Sequence, residues 1–155
     1  MKKGLKILAM AVLTAVPVMA QTKTNKLEKK VINPWEWQDK RSYVQAVKVK
    51  NPEGTLYVSG QTAINAAGIS SDADMRSQLI QTLANLEKVV KDSGYECKNI
   101  VRLNVYTTSE SELFACFNVF QDWIAKHGIR QTSTLLEVKT LFETLKVEVE
   151  ATVVK

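Results

Sequence analysis

Histidine and cysteine are scarce in this 155-residue chain, which has one histidine, His127, and two cysteines, Cys97 and Cys116. Zinc sites draw three or four such ligands from closely spaced positions, so a metal cluster of the usual spacing is excluded. Internal repeats, low-complexity runs and a second hydrophobic unit are also missing, which leaves one domain with a single core. Positive charge is absent where it would matter for nucleic acid. The formal net charge is +5, but from residue 32 onward 14 basic residues face 15 acidic ones, a net charge of −1. A nucleic-acid partner needs a basic face on the folded part, so that function class is set aside.

The basic residues sit at the start of the chain. Lys2, Lys3 and Lys6 precede an apolar run over 7–19, and Val18, Met19 and Ala20 place small residues where a signal peptidase reads them. The run is short for a bilayer span and leads into the polar stretch QTKTNK. Residues 1–20 therefore read as a signal peptide cleaved after Ala20, with no stable membrane insertion afterwards. No cysteine follows the small residues to carry a lipid. Export to the periplasm or beyond is the expectation. Residues 21–31 form a flexible basic lead-in, and 32–155 form the domain. An oxidising compartment would permit a Cys97–Cys116 bond, although Cys116 falls in an apolar helical stretch where a buried free thiol is the commoner outcome.

The domain alternates between two periods. Residues 42–50 and 55–62 read as strands joined by the turn Asn51-Pro52-Glu53-Gly54, a β-hairpin. Gly60 inside the second strand suggests a bulge or a close approach to the backbone. Ser71 and Asp74 have the spacing of a capping box ahead of a helix whose apolar stripe runs from Met75 to Val90, with Gly94 at its end. A strand over 99–108 follows. Ser109 and Glu112 then open a second helix carrying Leu113, Cys116, Phe117, Phe120 and Ile124, closed by Gly128. Strands over 132–138 and 146–153 complete the order β-β-α-β-α-β-β, an α+β fold with two helices on one sheet face. The other face, expected to carry Leu56 and Val58, would be buried by self-association. Trp35 and Trp37 cover the core, form a subunit contact, or line a ligand pocket.

That order, with SYVQAV at 42–47, YVSGQT at 57–62, LANLEKVVKDSG at 83–94, IVRLNVYTT at 100–108, FNVF at 117–120 and LEVKTLFETLKVEVEATVV at 136–154, resembles the RidA/YjgF family of reactive-intermediate deaminases. The resemblance implies a chorismate-mutase-like fold, a homotrimer with clefts between subunits, and hydrolysis of enamines and imines to a keto compound and ammonia without metal or bound cofactor. It places a water-directing acid at Glu148 and substrate-binding groups at Tyr43, Ser59, Gly60, Gln61 and Asn118. The family's carboxylate-gripping arginine falls on Ser133. The nearest arginine, Arg130, lies three residues earlier, about 10 Å of strand away. Arg130 is thus the candidate cation and Ser133 a candidate substrate contact. The alternative on the same scaffold is a trimeric small-molecule-binding protein without chemistry.

Overall fold

The computed structural model describes residues 26–37 and 41–155; the expected signal peptide over 1–20 and residues 21–25 of the lead-in lie outside them. Six strands and three helices follow one another as β1 (Glu28–Ile32), β2 (Ala46–Lys50), β3 (Thr55–Thr62), α1 (Met75–Asp92), β4 (Ile100–Thr107), α2 (Glu110–Ala115), α3 (Asn118–His127), β5 (Thr132–Glu137) and β6 (Val147–Val154). The main sheet has the order β3-β6-β4-β5. Here β6 is antiparallel to both neighbours and β4 is parallel to β5, the pairing that a crossover through helices requires. The α+β order expected from the sequence is present.

Two features of the first third differ from expectation. The basic lead-in contains a strand, β1, which pairs with β2 in a separate antiparallel ribbon with Val31 opposite Val47. The expected hairpin between 42–50 and 55–62 is therefore not formed, because β1 rather than β3 takes the hydrogen bonds of β2. β3 pairs with the C-terminal strand β6 instead, and the turn before it is tied there too: the Glu53 and Gly54 amides donate to the Lys155 carbonyl at 2.5 and 3.0 Å. Asn51 adopts φ 52°, a left-handed conformation that asparagine tolerates better than most residues.

The helix ends are locally specified. Asp74, not Ser71, caps α1, its carboxylate accepting from the Ser77 amide at 2.9 Å. Ser109 caps α2 by accepting from the Glu112 amide at 3.3 Å, as its spacing predicts. Gly94 and Gly128, both at positive φ, end the helical segments. The second helix is broken after Cys116, and α3 restarts at Asn118. The break lets Leu113, Cys116, Phe120 and Ile124 stay buried while Phe114 and Phe117 turn toward a cavity beside β4 and β5.

The core lies between the helices and one sheet face. Leu79, Leu83, Leu86 and Val90 of α1 meet Ile100, Leu103, Val105, Val147, Val149 and Val153. Gln78, fully buried, seals one end: its Nε2 donates to the carbonyls of Ser71, Ala73 and Thr144, and its Oε1 accepts from the Lys146 amide. Val58 belongs to this core and Leu56 packs against it, so neither lies on the open sheet face as expected. The open face carries Tyr57, Ser59, Arg102, Asn104, Tyr106, Glu148, Glu150 and Thr152, because period-two alternation puts their valine and leucine neighbours inside. Among the described residues no helix is long and apolar enough to cross a membrane.

Candidate functional site

The candidate residues separate into two groups. The first centres on β6. Between Val58 and Gln61 the β3–β6 register slips by one, so β3 holds an extra residue around Ser59-Gly60, a bulge. The Glu148 side chain lies over that bulge. A Cβ built on Gly60 would stand 1.7 Å from Glu148 Oε1 and 2.5 Å from its Cδ. Only glycine leaves room for the carboxyl group there. Gln61 folds its side-chain amide back on its own strand, Nε2 donating to the Ser59 carbonyl at 3.2 Å.

Electrostatics around Glu148 favour its protonated form. Burial raises its pKa above the usual 4.5, and the neighbouring Glu150 carboxylate adds to the rise. No hydrogen bond or ion pair reaches Glu148 among the described residues. Glu150, two residues on, is well supplied: its Oε2 accepts from Asn104 Nδ2 at 3.1 Å and from the Tyr106 hydroxyl at 3.2 Å. The sheet's open face thus pairs one satisfied carboxylate with one left available.

The second group lies on the opposite side of the sheet. Ser133 pairs with Leu103 and Leu135 with Val105 across β4–β5, so Ser133 and Leu135 share the helix-covered face. With Tyr43 they line a cavity of about 520 Å³. The Ser133 hydroxyl donates to the Leu103 carbonyl at 3.1 Å, which anchors it to the sheet. Glu148 sits two strands away on the other face, a lateral separation of roughly 10 Å before the sheet's own thickness is counted. Within one protomer the two groups do not meet.

Arg130 and Asn118 occupy neither position. Arg130 is exposed just before β5 and lines a different cavity, with Arg41, Ser42 and Tyr43. Asn118 begins α3, and its Oδ1 accepts from Arg76 Nη1 at 3.3 Å. Arg102, on the open face, donates to Thr134. Trp35 and Trp37 are more than half exposed and stacked at 6.2 Å, with Trp37 edge-on to Tyr43 at 6.5 Å. Arg41, which the sequence reading did not single out, has its guanidinium 5.2 Å from the Trp37 ring centroid and lines the Ser133 cavity. Its only advance signal was proximity in sequence to Tyr43. Cys97 and Cys116 are free and buried, and burial pushes both thiols up.

The domain is thus an α+β sheet covered by helices on one face, with an open polar face and a glycine bulge under a strand carboxylate. The family model for Endoribonuclease L-PSP matches residues 37–155. A RutC family protein from Pasteurella multocida is 31% identical over 116 residues, spanning 73% of this chain and 87% of that protein. The Yersinia pestis Rid-family protein YyfB superimposes with a TM-score of 0.71 at 29% identity, covering 82% of this chain and 98% of that one. The YjgF gene product of Escherichia coli gives 0.61 at 26% identity, over 73% and 87% respectively. The chain belongs to the RidA/YjgF family, which the matching family model describes as endoribonuclease L-PSP.

Proposed function

We propose that this protein hydrolyses small reactive imines or enamines to a keto compound and ammonia, in clefts between the subunits of a homotrimer. The observation that carries the reading is Glu148: half-buried, raised in pKa, and seated on a glycine that leaves it space. A carboxyl group held above its usual range exchanges protons nearer neutral pH than an ordinary glutamate. In the proposed step Glu148 takes a proton from water as the water oxygen bonds to the imine carbon. The C=N π pair becomes a lone pair on nitrogen, which takes that proton back from Glu148. The hydroxyl proton of the carbinolamine then passes through Glu148 to the amino nitrogen, and the C–N bond breaks to release ammonia as C=O forms.

The separation of the two groups within one protomer supports a homotrimer. Glu148, Ser59, Gly60 and Gln61 sit on and beside the open face, while Tyr43 and Ser133 sit around the far edge of the sheet. A neighbouring copy laid against the open face would bring its own Tyr43 and Ser133 region to the first protomer's Glu148, so each cleft would be composite. Light scattering at a trimer mass supports this arrangement, and a monomer that retains activity overturns it. The proposal also places the protein outside the cytoplasm; a mature N-terminus at Gln21 is the expected result of sequencing the exported chain. The ribonuclease description of the family model is not adopted, since the domain has no surplus positive charge.

The decisive experiment measures ammonia and keto acid released from freshly generated imines by the native chain and by Glu148→Gln. Activity in the first and its loss in the second are expected. A second reading, small-molecule binding without turnover, draws support from Ser133, whose hydroxyl is bound to the sheet and brings no charge. Saturable ligand binding with no ammonia from any imine would establish that reading instead.

A further inference from the structure

The cavity that Ser133 opens onto has an unusual wall. Phe114, Phe117 and Phe120 form a ladder with ring centroids 5.2 and 5.3 Å apart, and all three line the cavity with Val105 and Leu135. Phe114 remains half exposed although it is a large apolar side chain. At about 520 Å³ the space falls within the range of pockets for small organic molecules and exceeds what a serine- or alanine-sized acid fills. Among its described lining residues no carboxylate is present, and the single charged group is Arg41.

Arg41 is well placed to hold an anion. Its guanidinium carbon lies 5.2 Å from the Trp37 ring centroid, a cation–π contact that restrains the group beside the cavity. No carboxylate is paired with it among the described residues. Ser133, at the position where the family resemblance leads one to expect a cation, is neutral and tied to Leu103. Arg130 lines the adjacent cavity rather than this one.

We infer that Arg41 supplies the carboxylate-gripping cation in this protein and that the phenylalanine wall receives the substrate's side chain. The ligands are therefore carboxylic acids bearing an aromatic or large branched group, in preference to serine- or alanine-sized acids. This rests on the proposed composite cleft, because it names what the cavity half of that cleft selects.

Stable keto acids test the inference without turnover. Calorimetric titration of the full mature protein with phenylpyruvate and with pyruvate is expected to show phenylpyruvate bound at least about tenfold tighter, a modest return for burying one phenyl ring. Arg41→Ala should weaken phenylpyruvate binding by about tenfold or more, with Arg41→Lys intermediate because it keeps the charge but not the fork. Phe117→Ala should weaken phenylpyruvate selectively and leave pyruvate nearly unchanged, while Arg130→Ala should leave both unchanged. Equal binding of the two acids, native-like binding in Arg41→Ala, or a loss confined to Arg130→Ala would each overturn the inference. Its failure is separable from that of the hydrolase reading. The expected binding pattern with no ammonia from any imine sinks hydrolysis alone. Ammonia released at equal rates from the imines of phenylalanine and alanine, unaffected by Arg41→Ala, sinks this inference alone.

Discussion

The two halves of the candidate cleft are built to different tolerances. The β6 half is a single interlocked unit: a bulge in β3, a glycine within it, and a carboxylate occupying the space a side chain would have taken. The half around β5 is a roomy cavity, walled by rings and bordered by a segment, residues 41–45, that is outside regular structure. That segment is held to Gln131, the residue before β5, through the Val44 amide on the Gln131 carbonyl at 2.9 Å and Gln131 Nε2 on the Ser42 carbonyl at 2.6 Å. The difference teaches where chemistry and where selectivity reside. A proton-transferring group needs a fixed position, since small displacements cost rate steeply. A pocket that sorts side chains tolerates substitution so long as its volume and polarity suit the ligand.

The largest effect expected is on turnover in Glu148→Gln, a loss of about 10²–10⁴-fold in ammonia release, the usual contribution of a positioned acid–base group. In the native protein, kcat/KM should rise with pH through a midpoint above 4.5, because the ionised carboxylate is the active form and its pKa is raised. Retained activity in the amide variant would erase the distinction between the two halves. Next is Gly60→Ala. The new methyl would displace the Glu148 carboxyl, and kcat should fall by about 10²-fold while phenylpyruvate binding at the other half changes little. Equal losses of binding and turnover would show that the halves are not separable.

A smaller effect, on stability, follows from the same raised pKa. A glutamate protonated more readily in the folded state binds more protons than in the unfolded chain. Its ionisation therefore costs stability that accrues as pH rises from 4.5 to the raised folded value and stays constant above it. Glu148→Gln should be more stable than the native protein at pH 8, with the gap closing below pH 4 in denaturant titrations. Glu87 has the opposite sign. Hydrogen bonding from Lys91, with His127 and Lys126 nearby, lowers it to about 2, so its contribution is present above 4.5 and is lost as pH falls toward 2. Glu87→Gln should flatten that acid limb. Smallest is Ser133→Ala, which removes one hydrogen bond to Leu103 and should cost about 0.5–1.5 kcal/mol with little effect on turnover.

What could be read in advance was local. Ser109 with Glu112, Gly94, Gly128 and the alternation of β6 each declare themselves within a few residues, because caps, left-handed termini and strand faces depend on near neighbours. Gly60 announced a bulge by the same logic, but not that Glu148 would fill the space above it, since that contact joins positions far apart in sequence. The strand at Glu28–Ile32 escaped notice because three of its five residues are charged and its partner is chosen by pairing rather than by pattern. Gln78 and Gln131, polar side chains that no local pattern marks as internal, are fully buried. Arg41 was missed because its nearness to Ser133 is a fact of the folded chain.

The contact between Gly60 and Glu148 also constrains how such a chain can change over descent. While the acid is present, any side chain at position 60 collides with it, so the glycine is held by its neighbour. Once the acid is replaced by a small residue, position 60 is free to gain a Cβ. After that gain, restoring glutamate at 148 no longer restores its seat. Loss of the acid is thus easy to enter and hard to reverse, a ratchet set by a gap of 1.7 Å.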